Sequence, residues 1–144
     1  MFTRIVVALN DLPESQRALH TAIDMATTFN SSLATVSILG DLPVFSSFAI
    51  AVDPSALESM REARRKLHND LHGKAAELAR ERGVQIHSAI VEGREVEAVL
   101  HYLREQRAEL LVLGLHPHDF YLSRLWSSVY EVAQDAPCSV LGVH

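Results

Sequence analysis

The sequence predicts an α/β protein: one doubly wound, five-stranded parallel sheet with four covering helices, formed by residues 1–144 as a single domain. Two observations predict it. Short apolar, β-branched runs alternate along the chain with segments whose apolar residues recur at helical spacing, so that five strands alternate with four helices; right-handed crossovers then lay the strands parallel with helices on both faces. The strands also read as continuous apolar runs, as strands buried on both faces do. A length of 144 residues, with 48% hydrophobic and 22% charged residues, suits one domain with its own core.

The first strand is "RIVVAL", Arg4 to Leu9, bounded by Asn10 and Asp11. Pro13 stands at a first helical position, and Ala18, Leu19, Ala22, Ile23, Ala26 and Phe29 carry the 3.6-residue period of the helix that follows. "SLATVSIL", Ser32 to Leu39, is the second strand, and "GDLPVFSSFAIAVDP" is a Gly- and Pro-punctuated connection. The longest helix runs from about Ser55 to Arg82. Leu57, Met60, Leu67, Leu71 and Leu78 form its expected apolar stripe, Gly83 its C-terminal cap, and Glu58, Arg61, Arg65, Lys66 and Asp70 a solvated face. "VQIHSAIV" is the third strand; Val96, Val99, Leu100 and Leu103 mark the third helix. "AELLVLGL" is the fourth strand. A last helix beginning near Ser127 or Ser128 includes Val129 and Val132, and "SVLGVH" closes the sheet.

Thirteen Lys and Arg against 18 Asp and Glu leave a net charge of −5, with no basic patch to attract nucleic acid. The one cysteine, Cys138, can form no intramolecular disulfide, as suits a reducing compartment. No apolar run approaches the roughly 18 to 20 residues of a membrane span, and "MFTRIVVALND" enters a strand without a signal-peptide pattern. The expected location is the cytoplasm.

In a doubly wound sheet, ligands sit beyond the carboxyl ends of the strands. Three stretches share that rim: Asn10 to Pro13, Leu39 to Pro43, and Gly114 to Ser128. Neither G-x-x-x-x-G-K-S/T nor G-x-G-x-x-G is present. The loop after the fourth strand is still the best anion candidate, because its amides precede an electropositive helix terminus.

The order of elements, the "VALNDLPESQRAL" start, the "AELLVLG" strand and the closing "SVYEVAQDAPCSVLGVH" resemble the universal stress protein family over essentially the whole chain. The resemblance implies a Rossmann-like fold of the adenine nucleotide alpha hydrolase-like type. Nucleotide-binding members of that family carry G-x2-G-x9-G-S/T after the fourth strand. Here the first glycine matches Gly114, the second falls on Pro117, the third on Ser127 and the hydroxyl position on Ser128. Proline removes an amide donor, and Ser127 adds a side chain where glycine would admit an oxygen. The family's first-strand aspartate falls on Asn10, with Asp11 adjacent. "HPHDFYLSRLWSS" is instead similar to the universal stress protein A subgroup, which is not regarded as nucleotide-binding.

Phe120, Tyr121 and Trp126 bring aromatic bulk to the same loop and helix start, where such side chains more often plug a groove or form an interface than stack on a base. His116, His118 and Asp119 are too close in sequence to complete a tetrahedral metal site alone. His68 and His72, one helical turn apart, read as solvated histidines beside Asn69 and Asp70. Ser15, Ser127 and Ser128 lack a nucleophile-elbow context, Glu95 and Glu97 do not oppose one another across a cleft, and Cys138 reads as a small inert thiol. Asp11 and Glu14 bracket the first helix N-terminus, where each carboxylate contributes about 0.3 to 1 kcal/mol and discourages a polyphosphate.

The resemblance therefore implies a stress-response protein that works through protein partners or regulation rather than turnover, with no cofactor. It also implies a homodimer, in which the edge strand carrying Val140, Leu141 and Val143 pairs with its copy. The alternative is an ATP- or AMP-binding switch with a degenerate loop, held by Asn10, Asp11, Gly114, Ser127 and Ser128.

Overall fold

A computed structural model of the chain describes residues 1–40, 53–115 and 122–144, with 122–128 as backbone alone. The strands are β1 (Arg4–Ala8), β2 (Ser32–Leu39), β3 (Ile86–Glu92), β4 (Leu110–Gly114) and β5 (Ser139–Val143). The helices are α1 (Pro13–Phe29), α2 (Pro54–Glu81), α3 (Glu95–Glu105) and α4 (Leu122–Asp135). All four strand pairings are parallel, in the order β3-β2-β1-β4-β5. The order reverses between β1 and β4, and the rim above that junction is the topological switch point.

Alternate residues of each strand serve opposite faces. Ile5 and Val7 of β1, with Leu9 just after it, point into the cluster built with α1 and α2, and Val6 into the cluster built with α3 and α4. α1 supplies Ala18, Leu19, Ala22, Ile23 and Ala26, the predicted stripe apart from Phe29, which is exposed at the end of the helix. Burying Leu19 or Ile23 contributes about 1.5–3 kcal/mol each. α3 supplies Val99, Tyr102 and Leu103 to the other face. The predicted cap at Gly83 is present: with φ +75° it lets its own amide reach the Arg80 carbonyl at 3.0 Å and that of Val84 reach Ala79 at 2.9 Å. These two bonds are the Schellman pattern, and they satisfy the last carbonyls of α2.

Two expectations are corrected. α4 begins at Leu122 rather than near Ser127 or Ser128, because Leu122, Leu125, Val129 and Val132 already hold helical spacing and no Gly or Pro interrupts them. The inner face of α2 holds only part of the leucine stripe: Leu71 and Leu78 pack against the core, Leu67 is 45% exposed, and the fully buried residues are His72, Ala75 and Ala79. Small and polar side chains stand there because β2 presents Thr35 and Ser37, both fully buried, on the face beneath.

Candidate functional site at the carboxyl rim

The rim begins where β1 ends. The Asn10 side-chain oxygen accepts a hydrogen bond from the Leu12 amide at 2.9 Å, forming a turn that aims the chain into α1. Ser15, in the first turn of α1, reaches back: its Oγ accepts from the Asn10 amide at 2.9 Å and donates to the Ala8 carbonyl at 3.4 Å. Leu12, the N-cap, makes no side-chain cap bond, and Pro13 has no amide to cap. Ser15 thus closes the β1–α1 corner, and its hydroxyl, 2% exposed, is engaged with backbone rather than poised as a nucleophile.

Gly114 ends β4 directly against this corner. A Cβ built there would lie 2.5 Å from the Glu14 carbonyl carbon, 2.6 Å from its oxygen and 2.7 Å from the Ser15 amide nitrogen. The glycine is needed because the backbone of β4 touches the first turn of α1 with no room for a side chain. Glu14 is itself buried at this junction and lies 3.9 Å from the Arg17 guanidinium. The amide of Leu115 continues onto β5 through the Val143 carbonyl at 2.7 Å.

α2 brings a second group of polar residues to the rim. Arg64 donates to the Gly40 carbonyl at the exit of β2, at 3.1 Å. One turn on, the half-buried His68 lies within electrostatic reach of Arg64 and of Asp11; burial and the Arg64 charge push its pKa down, and Asp11 partly offsets them. One turn further, His72 is 5% exposed and its Nδ1 lies 2.6 Å from the Thr35 hydroxyl, which also donates to Ser88 at 3.2 Å. Burial, reinforced by His68, lowers the His72 pKa to about 4, so the ring is neutral near pH 7. The expectation that both histidines are solvated is therefore wrong. The spacing of Arg64, His68, His72, Ala75 and Ala79 on one side of α2, opposite Thr35 and Ser37 in an otherwise apolar strand, is the signal that marks this face.

The structure thus brings together Asn10, Asp11 and Gly114 around the β1–α1 corner and adds Arg64 and His68 from α2. Ser127 and Ser128 fall inside α4 by backbone, their side chains outside the described residues, as is that of Trp126. His116, Pro117, His118, Asp119, Phe120 and Tyr121 also lie outside them, as does the rim stretch after Gly40. Among the described residues no group of three His, Cys, Asp or Glu side chains is arranged to hold a metal. Cys138 is partly buried, and burial raises its thiol pKa, as suits an unreactive side chain.

Residues 1–144 match the model of the universal stress protein family. The chain is 24% identical over 145 residues to universal stress protein YxiE of Bacillus subtilis, covering 98% of each chain. It superposes on the universal stress protein UspA from Lactobacillus plantarum with a TM-score of 0.76 at 19% identity, covering 99% of this chain and 97% of that one. A universal stress protein solved in complex with cAMP superposes with a TM-score of 0.75 at 23% identity over 99% and 97% of the two chains. At these identities the superpositions carry the fold, which is Rossmann-like; the family match over the full sequence carries membership. The chain belongs to the universal stress protein family.

Proposed function

We propose that this protein acts in stress resistance as a cytoplasmic homodimer that works through partner proteins or regulation, without a bound nucleotide and without turnover of a substrate. The observation that carries this reading is the closed β1–α1 corner. Its hydroxyl and turn oxygen are engaged within the chain, and Gly114, the one glycine of the family's phosphate pattern that this sequence keeps, is in contact with Glu14 and Ser15 backbone. Pro117 and Ser127, at the pattern's other glycine positions, remove the amide and the space that phosphates use.

The dimer rests on β5. It is an edge of the sheet, paired through Leu110–Gly114 of β4 on one side, with Val140, Leu141 and Val143 only partly buried. An edge strand of this kind is a template for a second strand, and a two-fold axis beside it pairs the copies antiparallel. Sedimentation is expected to give a dimer at micromolar concentration, converted to monomer by Leu141→Lys with the circular dichroism unchanged. A wild-type monomer would remove the dimer from the proposal, and a dimer indifferent to this substitution would remove β5 as its interface. Among the described residues no helix is long and apolar enough to cross a membrane, in keeping with the proposed location.

A second reading, a nucleotide-dependent switch, is favoured by one observation: the solved relative carrying cAMP shares the fold. Here Asn10 and exposed Asp11 would meet the ribose and base, and Gly114, Ser127 and Ser128 the phosphates. Binding of ATP or AMP by calorimetry, lost on Asp11→Ala, would establish it over the first reading.

A further inference from the structure

α2 is held to the sheet unevenly. Its 28 residues include only three that are buried, His72, Ala75 and Ala79, and all lie in its C-terminal half. α1, with 17 residues, buries Glu14, Ser15, Ala18, Leu19, Ala22, Ile23 and Ala26 along most of its length. His72 is therefore the first firmly buried residue met on passing along α2 from its N-terminus. Before it the helix is tied down by half-buried side chains, by the Arg64 bond to Gly40, and by the exposed 2.6 Å pair of Arg65 with Glu92. Segments with few buried apolar contacts open at a lower free energy than the rest of the fold.

We propose that His72 is an acid-sensitive latch, whose protonation frees the N-terminal part of α2 from the sheet and takes Arg64 off the exit of β2. The chemistry of its surroundings allows this. Thr35 from β2 faces Nδ1, and Ser88 from β3 stands behind it; both are neutral. Nε2 is buried with no hydrogen-bond partner among the described residues, and so is Nδ1 of His68 one turn away. Among the described residues the charged groups near the pair are Arg64 and Asp11, which act on His68, and no carboxylate acts on His72. An imidazolium at 72 would hold a buried charge with an N–H that nothing accepts, beside a second ring that repels it.

The sign follows from linkage. The pKa of His72 falls from 6.5 when α2 is open to about 4 when it is docked, so the open form binds the extra proton. The docked form is fully favoured above about 6.5 and loses ground as pH falls toward 4. From these two values the opening constant rises about twentyfold between pH 7 and pH 5. Lowering of the His68 pKa acts in the same direction.

Amide hydrogen exchange on the full chain, corrected for the intrinsic pH dependence of exchange, tests the latch. Protection over residues 56–71 is expected to fall by about that factor at pH 5 while α1 and β1 keep theirs. His72→Gln, which cannot titrate and can still bond Thr35, is expected to remove most of the difference, leaving only the smaller part that His68 contributes. Equal loss in the variant, or equal loss across α1 and α2, would overturn the proposal. Should the variant not fold, the wild-type His72 ring decides by its own NMR titration: protonation near 6.5 with α2 still protected would refute the latch, and protonation only well below it, or together with loss of α2 protection, would support it.

Discussion

Replacing Gly114 with alanine adds one methyl group at the tightest seam of the fold. The new Cβ would stand 2.5 Å from the Glu14 carbonyl carbon and 2.7 Å from the Ser15 nitrogen. Both are backbone atoms of the first turn of α1, so no side chain can swing aside. β4 is a central strand, paired to β1 on one side and β5 on the other, and Ser15 is hydrogen-bonded to the exit of β1. Relief therefore requires α1 to move off the sheet and loosen the packing of Leu19 and Ile23. Overpacking a core by a methylene costs about 1–3 kcal/mol; with backbone as the obstacle the upper end applies, about 3 kcal/mol. For a chain of this size that lowers Tm by about 6–12 °C. Urea unfolding followed by circular dichroism measures it, with the midpoint shifted and the slope unchanged. Gly73→Ala serves as control: nothing lies within 4 Å of its Cβ, and alanine within a helix is expected to stabilise by about 0.5–1 kcal/mol. A Gly114→Ala loss below about 0.5 kcal/mol would show that the seam is slack and that the glycine is not there for packing.

Three further outcomes follow from the same contacts. Ser15→Ala leaves the Asn10 amide and the buried β1–α1 corner without their partner, and is expected to cost about 1–3 kcal/mol by urea unfolding. Asn10→Asp keeps the oxygen that the Leu12 amide uses and is expected to be nearly neutral, whereas Asn10→Ala costs about 1 kcal/mol. Glu109 accepts from the Thr3 hydroxyl and from the Thr3 and Arg4 amides, which hold its pKa down at about 2. Its folded pKa is depressed, so the stability it contributes is complete above about 4.5 and is lost as pH falls toward 2; Glu109→Gln is expected to flatten that limb of an acid denaturation curve.

The strands were legible because their signal is redundant. β1 and β4 are apolar at nearly every position, and burial on both faces demands just that. α1 was equally plain, since one stripe of Ala, Leu and Ile meets one core. α2 is only partly legible: Leu71 and Leu78 pack on the core as their spacing predicts, but hydrophobic letters miss the part of an inner face that lies over a polar surface. Thr35 and Ser37 on β2 make that surface polar, and histidine and alanine match it better than leucine does. At Gly114 the pattern marks a position of the family's phosphate loop, and the geometry adds a contact with a segment 100 residues earlier, which no local reading contains. The start of α4 at Leu122 precedes the motif's serines because the helical spacing of Leu122 and Leu125 already extends the helix there.

The proposal that the rim is closed to nucleotides is tested most directly by denaturing the purified protein and analysing the released small molecules by chromatography and mass spectrometry. The account predicts no adenine nucleotide and no thermal shift when ATP is added to the native protein. Stoichiometric ATP, AMP or a cyclic nucleotide in that extract would contradict it and make the switch the protein's function.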